Sequence, residues 1–280
     1  MANIFDDLVQ QLADAGIESP RLEARMLLAF VCGKEPAEIF TDDKLNETQE
    51  KKLQSLLARR LAHEPLDKIL GKREFYKAEF KVSDKVLSPR ADTETLVEAA
   101  LRLLPADFAA NILDLGTGSG CIIESVLSER PLMQGIAVDI SAEALEVAKE
   151  NAENLGLAKR LKFIRASWFE ADFAPRLAQK FDVIVTNPPY IPTGEITTLM
   201  PEVREYDPFV ALDGGEDGFD SYRRIAELAP ELLQEGGYVL VEAGAGQAEK
   251  IAEIFALQGL HLVDIICDLA GIKRCVVMKK

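Results

Sequence analysis

Four consecutive residues, Asn187-Pro188-Pro189-Tyr190, carry the most specific chemical signal in the chain. The prolines fix φ and lack an N–H, so the carbonyls of Asn187 and Pro188 are held in stiff orientations. The Asn187 side chain adds an acceptor oxygen. Together, the Asn187 amide oxygen and the Pro188 carbonyl can accept both hydrogens of a planar –NH₂ group, while Tyr190 offers that group a flat face.

This arrangement suits methylation of a planar nitrogen. The lone pair of an amide or aniline-like nitrogen is delocalised, so two acceptors that hold its N–H bonds favour a pyramidal nitrogen aimed at the methyl of a sulfonium. Proximity and orientation supply most of the rate, and the acceptors stabilise the positive charge that develops on nitrogen. No strong base is needed before attack, which fits a chain with only two histidines, His63 and His261.

A glycine-rich segment follows a predicted strand and opens a predicted helix. Glycines let the backbone approach a ligand closely, and in open α/β sheets such a loop lies at the ligand crevice beyond the strand ends. We therefore expect this loop to line a cofactor. Its residues are Gly116, Thr117, Gly118, Ser119 and Gly120.

Three side chains beside this loop extend the expected cofactor site. Asp139 ends the next predicted strand, and its carboxylate suits a ribose diol. Trp168, the only tryptophan, follows the third strand and serves either as a wall for an adenine or as core packing. Asp114 either receives a ligand ammonium or holds the loop. Loop and Asp139 together fit an adenosyl ligand, either a nicotinamide dinucleotide or S-adenosylmethionine, although the G-x-G-x-G spacing differs from the dinucleotide fingerprint.

Strands and helices alternate through the region that must position these groups. Such alternation predicts an α/β fold, a Rossmann-like sheet of seven strands with helices on both faces. Strands are expected at 111–115, 135–139, 161–166, 181–186, 238–242, 261–267 and 273–278, and helices at 121–130, 142–155, 221–233 and 247–257.

The N-terminal region reads as a small helical bundle. Ser19-Pro20 supplies a capping hydroxyl and a proline at the first helical position, Gly33 ends that helix, and Asn46 caps a second long helix. Residues 74–86 mix aromatic and β-branched residues with charges, which predicts a β-hairpin. The expected domains are an N-terminal helical domain (1–72), a hairpin linker (73–90) and an α/β domain (91–280).

Composition limits the class of protein. With 48% hydrophobic and 28% charged residues, no apolar run of 18 and an acidic N-terminus, we expect a cytoplasmic protein that does not bind membranes. The four cysteines form no CxxC pair, so neither a disulfide scaffold nor a metal site is expected. Residues 90–280 hold 18 basic and 31 acidic side chains. That excess disfavours binding to nucleic acid, which relies on neutralising phosphates.

These motifs resemble the class I S-adenosylmethionine-dependent methyltransferases of the amino group, which carry an Asn/Asp-Pro-Pro-aromatic tetrad. Within them, the chain is similar to the PrmC/HemK type, and the resemblance covers nearly the whole chain. Ala91 departs from that pattern, since the family usually has a proline there. Residues 242–246 match the loop expected after the fifth strand less closely. Further matching segments are 65–66, 71–76, 88–94, 202–204, 207–208, 211–212, 214–218 and 268–271.

The resemblance implies an enzyme that methylates the side-chain amide of the glutamine in the Gly-Gly-Gln motif of peptide chain release factors. It implies S-adenosylmethionine as the methyl donor and a role in translation termination. Asp139 would hold the ribose, Trp168 would lie near the adenine, and Asn187 would lie near cofactor and substrate. The residues expected to bind the glutamine amide are Asn187, Pro188, Pro189 and Tyr190, of which Asn187 and Pro188 would be catalytic.

Two other classes of function are open to the same residues. A nucleic-acid methyltransferase acting on adenine N6 or guanine N2 would share the tetrad, because those nitrogens are also planar, but it needs a basic face and room for an extruded base. A non-catalytic adenosyl-binding module or a dinucleotide oxidoreductase would leave the tetrad unexplained. The expected partners are therefore release factors, without direct contact to nucleic acid, and we expect a monomer.

Overall fold

The computed structural model describes residues 4–40 and 44–280, and the chain divides into two compact units. The first comprises the chain up to Gly71 together with Met200–Tyr206, and the second comprises Lys72–Leu199 and Asp207–Lys280. A short stretch that falls within the second unit in sequence therefore belongs to the first unit in space. None of the helices in the described ranges combines the length and apolar character needed to cross a membrane.

Helices come first along the chain, then a hairpin, and then strands and helices in alternation. The helices are α1 (Ile4–Asp14), α2 (Pro20–Cys32), α3 (Glu47–Leu61), α4 (Leu66–Leu70), α5 (Glu94–Leu103), α6 (Cys121–Glu129), α7 (Ala142–Asn154), α8 (Phe173–Leu177), α9 (Pro201–Arg204), α10 (Asp220–Leu232) and α11 (Ala248–Ala256). The strands are β1 (Lys72–Phe75), β2 (Ala78–Lys81), β3 (Asn111–Leu115), β4 (Gln134–Asp139), β5 (Leu161–Arg165), β6 (Phe181–Thr186), β7 (Leu233–Glu242), β8 (His261–Cys267) and β9 (Lys273–Lys279).

Local sequence signals set most helix ends of the first unit. Asn46 caps α3 by accepting the Gln49 N–H, and the Gln49 side chain accepts the Asn46 N–H in return. Gly33 ends α2 in the left-handed conformation, with its N–H donated to the Ala29 carbonyl. The predicted cap at Ser19 is wrong, because that side chain makes no capping hydrogen bond. The fixed φ of Pro20 begins α2 without it.

The Met200–Tyr206 segment is anchored to the helices of the first unit by polar contacts. Arg60 is buried, and it pairs with Glu23 at 2.6 Å and with Glu202 at 3.5 Å. Tyr206 donates its hydroxyl to the Ala62 carbonyl over 2.8 Å. A buried guanidinium must keep its partners, because an unpaired buried charge is strongly destabilising. The segment is thus a structural part of the bundle.

The hairpin and the sheet make up the second unit. The hairpin consists of β1 and β2, so it runs from Lys72 to Lys81 instead of over 74–86. The sheet has the order β5-β4-β3-β6-β7-β9-β8, in which the first five strands are parallel and β9 runs antiparallel to both of its neighbours. The expected α/β fold with a seven-stranded sheet is therefore confirmed.

Helices cover both faces of this sheet because its strands are apolar on both sides. Along β3, Ile112 packs into one core layer, whereas Leu113 and Leu115 pack into the other. Strand β7 begins at Leu233, earlier than the predicted residue 238, because a register shift opposite β6 lets the chain pair before and after Gly236-Gly237.

The strand order places the site. From β3 the chain proceeds outward through β4 and β5, and it then returns to the other side of β3 to form β6 and β7. The order therefore reverses between β3 and β6, and ligands of open α/β sheets bind at such a switch point, beyond the carboxyl ends of the strands. The glycine loop follows β3 and the tetrad follows β6.

Candidate active site

The glycine loop and the tetrad meet because their strands are paired. Leu115 lies opposite Thr186 in the β3–β6 register, so Gly116 and Asn187 are the next residues of each strand. Thr186 donates its hydroxyl to the Leu115 carbonyl over 2.7 Å and ties the two strand ends together. Asn187 is half-buried and lines the same cavity as Gly116.

The glycine loop requires residues without a side chain at two positions, Gly116 and Gly120. Gly116 has a φ of 76°, and a Cβ there would lie 3.3 Å from Trp168 Cη2 and 4.0 Å from the Asn187 carbonyl oxygen. The N–H groups of Gly116 and Thr117 both donate to the Val138 carbonyl at the end of β4. Gly120 begins α6 where a side chain would collide with the Glu124 carboxyl group. The loop is thus fixed at its start by the hydrogen bonds to Val138 and confined at its end by the Glu124 side chain.

Two carboxylates hold the loop from beneath and from the side. Asp114 is fully buried and accepts the Thr117 hydroxyl over 2.7 Å, so it acts on the loop from beneath. Burial raises the pKa of Asp114 to about 7, and the bond from Thr117 opposes that rise. Asp139 accepts the Gly118 N–H and the Ser141 N–H, both over 2.9 Å. Burial also raises the pKa of Asp139, against the effect of these backbone bonds.

Trp168 both lines the cavity and packs against the core, so its expected place beside an adenine stays a prediction. Its indole lies over Gly116 and lines the cavity, and it also packs against the core of the sheet. Its Nε1 is buried and has no hydrogen-bond partner within residues 4–40 and 44–280. Arg224 of α10 donates to the Trp168 carbonyl over 2.8 Å and fixes the loop that carries the indole.

The cavity at the strand ends brings together six of the residues singled out from the sequence. Thr117, Ser119 and Gly120 are buried, and Thr117 turns its side chain toward Asp114. Pro188 is buried, whereas Pro189 and Tyr190 are half-buried. An adjoining cavity of about 290 Å³ shares Trp168 and Pro189 with the first. The six residues in the first cavity are Gly116, Gly118, Asp139, Trp168, Asn187 and Pro189.

Tyr190 is held through its backbone. Gln247 donates its Nε2 to the Tyr190 carbonyl over 3.0 Å. A Cβ on Gly214 would lie 2.8 Å from Tyr190 Cα, and one on Gly218 would lie 2.5 Å from the Tyr190 carbonyl oxygen. This glycine run therefore lets a second chain segment pack directly on the tetrad. Burial raises the pKa of the Tyr190 hydroxyl to about 12, so the ring is neutral.

Three polar side chains around the tetrad escaped the sequence reasoning. Gln247 follows β7, and Thr93 precedes α5 with its Oγ1 3.5 Å from Asn187 Nδ2. Glu242 is the buried last residue of β7. Glu242 and Gln247 could have been found from their positions at the end of the fifth parallel strand and just after it, because that strand ends at the ligand edge of the sheet like β3 and β6.

Both parts of the chain match known protein families. Residues 3–71 match the model of the PrmC N-terminal domain, and residues 107–268 match a methyltransferase domain. The release factor glutamine methyltransferase of Rhodospirillum rubrum is 42% identical over 100% of this chain and 85% of its own length. That of Geobacter sulfurreducens is 43% identical over 95% of this chain and 91% of its own.

The chain belongs to the release factor glutamine methyltransferase family. It is accordingly a methyltransferase, and a solved structure agrees on the fold. The methyltransferase from Pyrococcus furiosus superposes with a TM-score of 0.53 at 15% identity, covering 82% of this chain and 98% of that one.

This member of the family accommodates both of its departures from the usual pattern. Ala91 begins a short 3₁₀ turn that leads into α5, so the helix forms without the usual proline. The neighbouring Arg90 pairs with Asp207 at 3.0 Å, and the Asp207 side chain is fully buried. In the loop after β7, Gly244 donates its N–H to Gln247 Oε1 over 3.1 Å, so this release factor glutamine methyltransferase relative keeps a defined turn there.

Proposed function

We propose that this chain methylates the side-chain amide nitrogen of the glutamine in the Gly-Gly-Gln motif of peptide chain release factors, with S-adenosylmethionine as the methyl donor. One observation carries the proposal. Asn187 and Gly116 occupy matched positions beyond two paired strands, so an amide acceptor adjoins the cofactor loop. The relatives named for release factor glutamine methylation support the choice of substrate.

The residues at the strand ends fit an adenosyl sulfonium. The absence of a side chain at Gly116 leaves room above the loop, and Trp168 offers an aromatic wall with an unused N–H among the described residues. Each Asp139 oxygen accepts one backbone N–H and keeps a further lone pair for a ribose hydroxyl. The buried carboxyl group of Asp114 and the half-buried one of Asp139 favour a cationic ligand. The bound cofactor would supply an electrophilic methyl group.

The tetrad would prepare the substrate nitrogen. Asn187 Oδ1 and the Pro188 carbonyl would accept its two hydrogens, and the neutral Tyr190 ring would lie against the amide plane. Gripping both N–H bonds withdraws the lone pair from conjugation and directs it along the line of transfer. As positive charge develops on nitrogen, the two fixed acceptors stabilise it, and the proton leaves after transfer.

The proposed roles of the domains are those expected from the sequence. We propose residues 1–72 as the domain that recognises the release factor, 73–90 as a linker and 91–280 as the catalytic domain. The acidic balance of residues 90–280 supports a protein substrate over a nucleic acid.

The test is methyl transfer to a purified release factor. The protein is incubated with the release factor and labelled S-adenosylmethionine, and the peptide that carries the Gly-Gly-Gln motif is analysed by fragmentation mass spectrometry. One methyl on the glutamine side chain is expected, and none on a matched release factor with alanine in place of that glutamine. Label on another residue of the release factor, or in DNA or RNA incubated with the protein and the methyl donor in a parallel reaction, would overturn the proposal.

A further inference from the structure

A buried carboxyl group lies beside the tetrad and has no part in the mechanism above. Thr186 is paired with Val241 in the β6–β7 register, so Asn187 and Glu242 are the next residues of two neighbouring parallel strands. Residues at matched positions of adjacent strands direct their side chains to the same face of the sheet. The register therefore directs the Glu242 carboxyl group to the same side of the sheet as the Asn187 carboxamide, which interacts with it and lowers its pKa.

The Glu242 side chain has a carboxyl oxygen that is free to accept a hydrogen bond. Its side chain is 3% exposed, and its Oε2 is buried without a hydrogen-bond partner in the part of the chain that the structure describes. A buried carboxyl oxygen without a donor is destabilising, so such an atom calls for an explanation.

Asn187 requires a neighbouring group that fixes the orientation of its carboxamide. Its Oδ1 and Nδ2 are nearly equal in shape, so the amide can turn over, and a turned amide would present N–H groups to the N–H groups of the substrate. The contact from Nδ2 to Thr93 Oγ1 is 3.5 Å long, at the outer limit of a hydrogen bond. A hydroxyl can donate as well as accept, so Thr93 alone does not select one orientation.

We propose that Glu242 is a positioning residue whose carboxylate accepts the Nδ2 hydrogens of Asn187 and thereby keeps Oδ1 turned toward the substrate amide. The inference rests on the role proposed for Asn187. An ionised carboxylate only accepts hydrogen bonds, so it admits one orientation of the carboxamide. A protonated carboxyl group can also donate, and it admits both.

Glu242 changes its protonation state near neutral pH, as the buried Asp114 beneath the glycine loop also does. Burial raises its pKa to about 7, whereas Thr93, the charge of Arg274 and the Asn187 amide lower it and Asp92 raises it further. Arg274 stays cationic between Asp92 and Asp268, each at 2.9 Å. Four other titratable groups interact with Glu242, and burial raises the pKa of each so that they stay neutral. They are Tyr190, Tyr222, Cys121 and Cys275.

The consequence is a dependence of the rate on pH. Above the pKa of about 7 the carboxylate holds Asn187 in the productive orientation, and below it the selection is lost. The rate of methyl transfer on the bound substrate is therefore expected to rise with pH through neutrality.

The test compares Glu242→Gln with the wild-type protein in single-turnover methylation of a release factor, at saturating methyl donor and from pH 6 to 8.5. At pH 8 the variant should be roughly tenfold to a hundredfold slower, the size of a lost hydrogen bond to a charged group. Its rate should no longer rise through neutrality, and its affinity for the methyl donor should stay within about threefold. Glu242→Asp, which keeps a carboxylate, should recover part of the rate and the rise with pH.

A double mutant separates positioning from a structural role. In an Asn187→Ala background, Glu242→Gln should cause less than about a twofold further loss, because the group it acts on is gone. Glu249→Gln is the matched control, since Glu249 is an exposed glutamate paired with Lys273, and it should behave as wild type. Thermal unfolding of every variant checks that the fold is intact, and Glu242→Asp carries the test if the glutamine variant does not fold.

Three results would overturn the inference. They are a Glu242→Gln protein with the wild-type rate and pH profile, losses that multiply with Asn187→Ala, and a Glu242→Asp protein without any rise of rate with pH. A wild-type protein that transfers no methyl to the release factor would overturn the proposed function, and the inference with it. Normal wild-type transfer with an unaffected variant would remove the inference alone.

Discussion

Gln247 joins the loop after β7 to the tetrad, because its Nε2 donates to the Tyr190 carbonyl over 3.0 Å while its Oε1 accepts the Gly244 N–H over 3.1 Å. Both ends of one amide side chain are thus used to hold two backbone segments. We predict that Gln247→Leu slows methyl transfer about tenfold through displacement of Tyr190, and leaves methyl-donor affinity within about threefold. Steady-state kinetics on a release factor measures the first and calorimetry the second. A Gln247→Leu protein with the wild-type rate would show that this link is dispensable.

Asn187→Ala is predicted to cut methyl transfer by roughly a hundredfold to a thousandfold, since it removes one of two acceptors for the charge that develops on nitrogen. The affinity for the methyl donor should change only a few-fold. Asn154→Ala, at an exposed position of α7, is the matched control and should be unaffected. Single-turnover rates and calorimetric affinities decide, and near-normal transfer in the Asn187 variant would contradict the role assigned to it.

Asp139→Ala is predicted to weaken methyl-donor binding roughly tenfold to a hundredfold, because the ribose loses an acceptor and the Gly118 N–H loses its partner. Asp172→Ala, an exposed aspartate paired with Arg176, serves as the control. Isothermal calorimetry measures both. Equal affinities of the two variants would remove Asp139 from the ribose site.

Two glycines with nearly the same φ allow the effect of a side chain beside the cofactor loop to be separated from the effect of backbone strain. Gly116 has a φ of 76° and Gly16 a φ of 78°, but a Cβ would meet Trp168 at Gly116 and would meet nothing within 4 Å at Gly16. Gly116→Ala and Gly16→Ala should therefore both lose about 1 kcal/mol of stability from strain. Only Gly116→Ala should lose methyl-donor affinity, by about tenfold or more. Binding that is equal in both variants would contradict a cradle at Gly116.

Stability should respond to the charge of Glu124, a fully buried residue whose two carboxyl oxygens have no hydrogen-bond partner in the described ranges. Burial and the charge of Asp114 raise its pKa to about 9 from 4.5. The unfolded chain releases this proton near 4.5 and the folded chain near 9, so the free energy of unfolding contributed by Glu124 falls as pH rises between these values.

Glu124→Gln should therefore be more stable than the wild type at pH 8.5, with a smaller difference at pH 6. Urea unfolding at the two pH values measures this, and the exposed Glu153→Gln is the control. A variant that is less stable than the wild type at pH 8.5 would contradict the prediction.

The sheet and the residues on its strand ends were readable from the sequence because buried parallel strands leave continuous apolar runs. The parallel strands β3 and β6 have the predicted bounds, as does the antiparallel edge strand β8, and Asn46 begins α3 and Gly33 ends α2 as expected. The start of β7 was not readable, because it depends on a shift in its pairing with β6.

The supporting groups of the site were missed for a similar reason. Thr93 lies beside Asn187 through the placement of α5, which no local pattern reports, and Glu242 could be singled out only by its position at the end of the fifth parallel strand. The glycine run at 214–218 could be read only as a turn, since what it packs against lies on a distant stretch of chain. Local sequence signals thus identify the groups that do chemistry more readily than the groups that orient them.

The excursion of Met200–Tyr206 into the helical bundle limits how the protein can be taken apart or recombined. The polypeptide passes from one unit to the other three times, after Gly71, after Leu199 and after Tyr206. A protein that lacks the residues before Lys72, or in which a foreign helical domain replaces them, would lose Arg60 and Ala62. The Met200–Tyr206 segment would then be without the side chain and the carbonyl group that hold it. A helical domain that keeps these contacts can therefore be exchanged only if both stretches of the chain are replaced together.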